Sequence, residues 1–142
     1  MAAHSSEKTR AGSGARALRI ELMLERNVHA PALARKEIAK RCAELQLGGS
    51  LCQSLILLVS EVVSNAVRHS GGACDAPIKL VASFGSETIR VTVTDAGDGF
   101  TPQPRDPEST RDGYGLYLLE KVSSRWGVES RGDTKVWFEL SR

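Results

Sequence analysis

The sequence is short of cysteine, of net charge and of long apolar runs, and each shortage excludes something. Its three cysteines, Cys42, Cys52 and Cys74, are odd in number and scattered. Neither a disulfide framework nor a zinc site is built that way, and a reducing, cytoplasmic setting is expected. Lys and Arg number 19 against 17 Asp and Glu, a net charge of +2. That is too mild to call for direct contact with nucleic acid. No apolar run approaches the ~18–20 residues of a membrane span, so no membrane partner is expected. The opening stretch MAAHSSEKTRAGSGAR has no apolar core of a secretory signal. There are no internal repeats. What remains is 142 residues, 41% hydrophobic and 25% charged, which fits one globular domain. Residues 1–16 read as a flexible tail and 17–142 as the domain.

Periodicity supplies the elements. Leu18, Ile20, Leu22 and Leu24 alternate with Arg19, Glu21, Met23 and Glu25, which predicts a strand with one buried face. Pro31 suits the first turn of a helix running to about Leu45, with Ala34, Ile38 and Cys42 inward and a Glu37–Arg41 pair on the wet side. Gly48-Gly49 should end that helix, and Ser50 should cap the next. Residues 51–69 form the most apolar helix, with a stripe of Leu51, Leu55, Leu58, Val59, Val62, Ala66 and Val67. Two alternating strands follow, 78–84 and 89–94, joined by a short loop containing Gly85. The segment TPQPRDPESTRDGYG holds three of the five prolines and is too long for a simple connection. A third helix from Gly115 to about Ser123 and a second hairpin, 126–130 and 135–140, complete the order. The expected fold is α/β (α+β): a two-layer sandwich of a mixed, mostly antiparallel sheet with helices on one face.

Four places carry chemistry. Glu61, Asn65 and His69 follow one another at four-residue steps and share one sector of the central helix, beside its apolar stripe. They suit a metal–phosphate ligand, or simply a solvated helix face. Asp95 has the parity of Ile89, Val91 and Val93, so its carboxylate should face the covered side, where it needs a donor. The exocyclic amino group of a base is one such donor, and Gly97 and Gly99 would let a flat ligand approach; an Asx-type turn explains the glycines alone. Gly113 and Gly115 open the third helix, where free N–H groups can hold phosphate. No P-loop and no Rossmann fingerprint is present. Thr134 shares parity with Val136, Phe138 and Leu140, so its hydroxyl should also face inward and need a partner, or else cap the strand end.

Order and spacing together resemble the GHKL (Bergerat-fold) ATPase family, which includes histidine kinases, gyrase and Hsp90-type chaperones. Glu61-Val-Val-Ser-Asn65 looks like the N box, Asp95-Ala-Gly97-Asp-Gly99-Phe100 like the G1 box, and Gly113-Tyr114-Gly115-Leu116 like the G2 box. Thr134-Lys-Val136 resembles the final-strand threonine segment, although Asp133 intervenes where the family usually runs Gly directly into it. The stretches SEVVSNAVRHS and VWFEL are most similar to the anti-sigma-factor serine kinases and their bacterial relatives. The resemblance implies ATP and Mg²⁺ as cofactors, with Asn65 binding the metal and Glu61 as general base. It implies that Asp95 accepts from adenine N6 with support from Thr134. Gly97, Gly99 and Phe100 would lie at the base, and Gly113, Tyr114, Gly115 and Leu116 at the phosphates. Arg68 and His69 would reach phosphate, and residues 101–112 would form a lid. The function implied is a serine/threonine-protein kinase and anti-sigma factor that phosphorylates a small anti-sigma-factor antagonist. A sigma factor as second partner and a homodimer stay open. The alternative is a module that grips its partner when ATP is bound and transfers nothing. A histidine-kinase catalytic module acting in trans is a third reading.

Overall fold

The computed structural model describes residues 18–68, 76–96 and 114–142, with backbone alone for 114–116. Strand β1 (Leu18–Leu24) leads into helices α1 (Ala30–Glu44) and α2 (Gly49–Arg68). Strands β2 (Ile78–Phe84) and β3 (Thr88–Asp95) follow, then helix α3 (Tyr114–Val122) and strands β4 (Arg125–Arg131) and β5 (Asp133–Ser141). The five strands form one sheet in the order β1-β2-β3-β5-β4. Every neighbouring pair is antiparallel, and among the described residues no parallel pair joins them. Two hairpins and a β3–β5 join need no parallel crossover.

The alternation in the strands is the cause of the layering. Ile78, Leu80, Ala82 and Phe84 of β2, and Ile89, Val91 and Val93 of β3, are all buried on one face. Against them lies α2, where Leu55, Leu58, Val59, Val62 and Ala66 of the expected stripe are buried, Val63 is buried as well, and Leu51 and Val67 are only partly buried. By length and mean hydropathy (20 residues, 1.5) α2 would pass for a membrane span. Its apolar side is instead part of the domain core, together with Ala34 and Ile38 of α1, Leu119 of α3 and Phe138 of β5. The opposite face of the sheet is wetter and polar. There Arg90 of β3 pairs with Glu139 of β5 at 2.7 Å, and its guanidinium lies 4.1 Å from the centre of the Trp137 ring.

Two local expectations fail for a clear reason. The first helix does not run to a glycine stop. It ends at Glu44, and Gln46 takes the left-handed conformation (φ 54°). Leu47 N–H then donates to Cys42 O at 3.0 Å and Gln46 N–H to Ala43 O at 3.2 Å, which is the Schellman arrangement. Leu47 packs on the core, and this contact holds a non-glycine residue in the left-handed well. Gly49 is therefore free to begin α2, and Ser50 lies inside its first turn rather than capping it. At the other end of α1, Pro31 does sit in the first turn, and Asn27 Oδ1 accepts from His29 N–H at 2.8 Å.

Candidate functional site

The site forms where the end of β3 meets the last turns of α2. Asp95, the final residue of β3, is 6% exposed, and Thr134 of β5 is 5% exposed. They are direct cross-strand partners. Both side chains point to the helix-covered face, as their parity requires. The extra Asp133 does not shift this register. It is absorbed next to Gly132, whose left-handed φ of 85° makes the tight turn between β4 and β5. By whole-residue exposure these are the two buried polar or charged residues among the described ones.

A buried carboxylate needs a donor, and the structure supplies one that the sequence reading missed. Arg26, two residues beyond β1, donates from Nη2 to Asp95 Oδ1 at 2.7 Å. Both side chains are almost wholly enclosed, at 7% and 8% exposure. The same guanidinium donates from Nη1 to Ala66 O at 3.0 Å and from Nε to Ala76 O at 3.1 Å. Ala66 belongs to the last turn of α2, where carbonyls lack intrahelical partners. One cation thus ties the exit of β1, the end of α2, the approach to β2 and the end of β3. The available signal was parity: Arg26 continues the even series of Leu18, Ile20, Leu22 and Leu24.

Thr134 contrasts with Asp95. Its Oγ1 is buried and has no hydrogen-bond partner among the described residues. Such a hydroxyl is costly, and it fits a site where a ligand polar group or a bridging water completes the bond. A carboxylate acceptor opposite an unmatched hydroxyl suits the polar edge of a base.

On α2, Glu61 and Asn65 are partly exposed and lie one turn apart on the same face. Glu61 has no hydrogen-bond or ion-pair partner among the described residues. The Asn65 carbonyl oxygen accepts from Arg68 Nη2. An amide oxygen is a suitable hard donor for Mg²⁺, which commonly takes only one or two protein ligands beside substrate phosphates. The exposed Arg68 would have to swing aside for that, and its long side chain can do so. Among the described residues no cluster of His, Cys, Asp or Glu could hold a metal unaided. His69, Gly97, Gly99, Phe100, Gly113 and the expected lid at 101–112 lie outside the described residues. Tyr114, Gly115 and Leu116 form the first turn of α3.

A five-stranded antiparallel sheet covered by helices, with a buried Asp and Thr paired beside a helix bearing Glu and Asn, defines a nucleotide-binding domain of the GHKL type. Comparison with known proteins agrees. The histidine kinase-like ATPase domain family matches residues 24–140, and the chain belongs to that family. An uncharacterised protein of Streptomyces coelicolor is 34% identical over 79 residues, covering 54% of this chain and 74% of that protein. Among solved structures, the RsbU and RsbW domains of a Mycobacterium tuberculosis protein superpose with a TM-score of 0.70 at 24% identity. That match covers 90% of this chain, which spans about a third (34%) of the mycobacterial one. SiaB–SiaC of Pseudomonas aeruginosa gives a TM-score of 0.65 at 11% identity, covering 100% of this chain and 98% of the other. At these identities the two structures speak for the fold.

Proposed function

We propose that the protein is an ATP-dependent serine/threonine kinase that phosphorylates a small antagonist protein and holds a sigma factor in the antagonist's absence. The observation that carries the reading is the Asp95–Thr134 pair at the end of β3, beside the helix face of Glu61 and Asn65. In this reading Asp95 and Thr134 take the adenine edge. Asn65 is the protein's ligand to Mg²⁺, which when bound neutralises charge on the triphosphate. Arg68, once released from Asn65, meets phosphate. Glu61, unpaired among the described residues and partly exposed, accepts the proton of the incoming hydroxyl. Positioning and charge neutralisation provide most of phosphoryl-transfer catalysis, and a carboxylate at hydrogen-bond distance from the nucleophile provides the rest. A protein partner is supported by one neighbour in which SiaB is complexed with SiaC, and by another that carries an RsbW domain beside an RsbU domain. The same reading places the protein in the cytoplasm.

The test separates transfer from binding. The partner is recovered by pull-down with and without ATP, and labelled γ-phosphate is then followed onto its serine or threonine. Glu61→Gln should keep ATP binding and lose transfer by ~10²-fold or more. Asn65→Ala should weaken Mg·ATP binding and every activity that depends on it. No transfer by the unmutated protein, with partner in excess, would leave an ATP-dependent binding module in place of the kinase.

A further inference from the structure

We infer that Arg26 is the positioning residue that makes Asp95 selective for an amino group over a carbonyl at the six-position of the purine; this rests on the ATP-binding reading above. The geometry is specific. The guanidinium meets the Asp95 carboxylate at 2.7 Å while two other N–H groups are fixed on the carbonyls of Ala66 and Ala76. With three anchors on three separate segments, neither its side chain nor the carboxylate can rotate independently. Arg is suited to this because its donors form a rigid planar fork, which Lys lacks.

The chemical consequence follows from orientation. A carboxylate whose oxygen is held by a guanidinium turns acceptor sites toward its other neighbours. Such a group accepts from a 6-amino substituent and repels a 6-oxo substituent. Without the guanidinium, Asp95 loses its tie to the Ala66 and Ala76 carbonyls, and its acceptors are no longer fixed in one direction. A carboxylate that can turn away or bridge through water reads the six-position poorly, and the discrimination falls. Arg26 touches neither base nor phosphate in this account. It acts through Asp95, and it also fixes Asp95 relative to Ala66, the residue after Asn65, so that base and phosphate ends of the site share one reference.

The experiment is calorimetric titration of the full chain with Mg·ATP and Mg·ITP, for the unmutated protein, Arg26→Met and Arg26→Lys, with circular dichroism to confirm folding. The unmutated protein should prefer ATP by ~30-fold or more, as expected when a charged acceptor reads a donor. Arg26→Met should bring the ratio below ~3-fold, and Arg26→Lys should restore only part of it, because an ammonium can pair with Asp95 but cannot hold all three anchors as a planar fork. Equal loss of affinity for both nucleotides, with the ratio unchanged, would show a purely structural role and overturn the inference. Equal binding of ATP and ITP by the unmutated protein would also overturn it while leaving nucleotide binding intact. Binding of neither would instead remove the ATP reading on which it rests. If Arg26→Met does not fold, Arg26→Gln and Arg26→Lys decide by the same ratio. Failure of all three to fold would assign Arg26 to stability and overturn the inference.

Discussion

Replacing Thr134 with Val should make the empty-handed protein more stable and the nucleotide-binding protein weaker. The two side chains have nearly the same shape and both are β-branched, so strand preference and rotamer are retained. What changes is the hydroxyl, which is buried opposite Asp95 with no partner among the described residues. An unsatisfied buried hydroxyl costs about 1–3 kcal/mol, and a methyl group in its place adds a little apolar burial. The gain in the free protein should therefore be about 1–2 kcal/mol. For a domain of this size each kcal/mol moves Tm by about 3–5 °C, so the melting curve should shift upward by about 3–10 °C. With Mg·ATP present the order should narrow or reverse. Loss of one ligand hydrogen bond weakens binding about 10-fold, and saturating ligand then protects by about 1.4 kcal/mol less. The assay is thermal unfolding of both proteins with and without Mg·ATP, with calorimetric Kd values alongside. A lower Tm for the free Val variant would refute the reasoning, because it would mean that the hydroxyl is already satisfied within the fold.

Two further expectations concern the frame around the site. Gly127 on β4 faces Trp137 on β5, and a Cβ there would meet ring atoms at 2.7–2.9 Å. The ring is held from the other strand by Arg90, so Gly127→Ala should cost about 1–3 kcal/mol, measured by urea unfolding; an unchanged midpoint would show that the indole moves freely. Burial first, and then the neighbouring Cys52 thiol, push the Cys42 thiol up to about 12 from 9.0. Folded protein at pH 8 should therefore leave Cys42 unalkylated by iodoacetamide, as read by peptide mass mapping. Because the unfolded thiol ionises at lower pH than the folded one, this contribution to stability is complete below about pH 9 and is lost as pH rises toward 12. Equal alkylation of Cys42 in folded and denatured protein would contradict the burial.

How much of this was legible beforehand depends on the range of the interaction. Alternation in β3 and β5 is a local property, and it puts Asp95 and Thr134 on the covered face from sequence alone. The spacing of Glu61 and Asn65 likewise needs only helical geometry. Their meeting with Asp95 is different. It depends on Arg26, whose partners lie 40, 50 and 69 residues away. A lone arginine after a strand reads as solvent-facing unless its parity is continued past the last apolar residue. The donor assigned from sequence to the inward Asp95 was a ligand's amino group. The fold provides a guanidinium as well, which changes the carboxylate from a group waiting for a partner into a prepared acceptor. The end of α1 was misread for a related reason. Glycine is the usual left-handed residue, but Gln46 is kept there by the packing of Leu47, which no local rule shows.

The position of β5 in the sheet has a consequence for synthesis. It is the latest of the five strands in sequence, yet it lies between β3 and β4 and pairs with both. As the chain emerges, β1, β2 and β3 can associate early, but β3 then presents a bare row of backbone donors and acceptors beside an apolar face. That edge stays open until β4 and β5 have been made, and it is a surface on which partly synthesised chains could pair with one another. Thr134 arrives on the same strand that closes the edge. Nucleotide recognition and protection from misassociation are therefore completed by one event, the docking of β5, so an ATP-protected fraction in a pulse-labelled population would count finished molecules only.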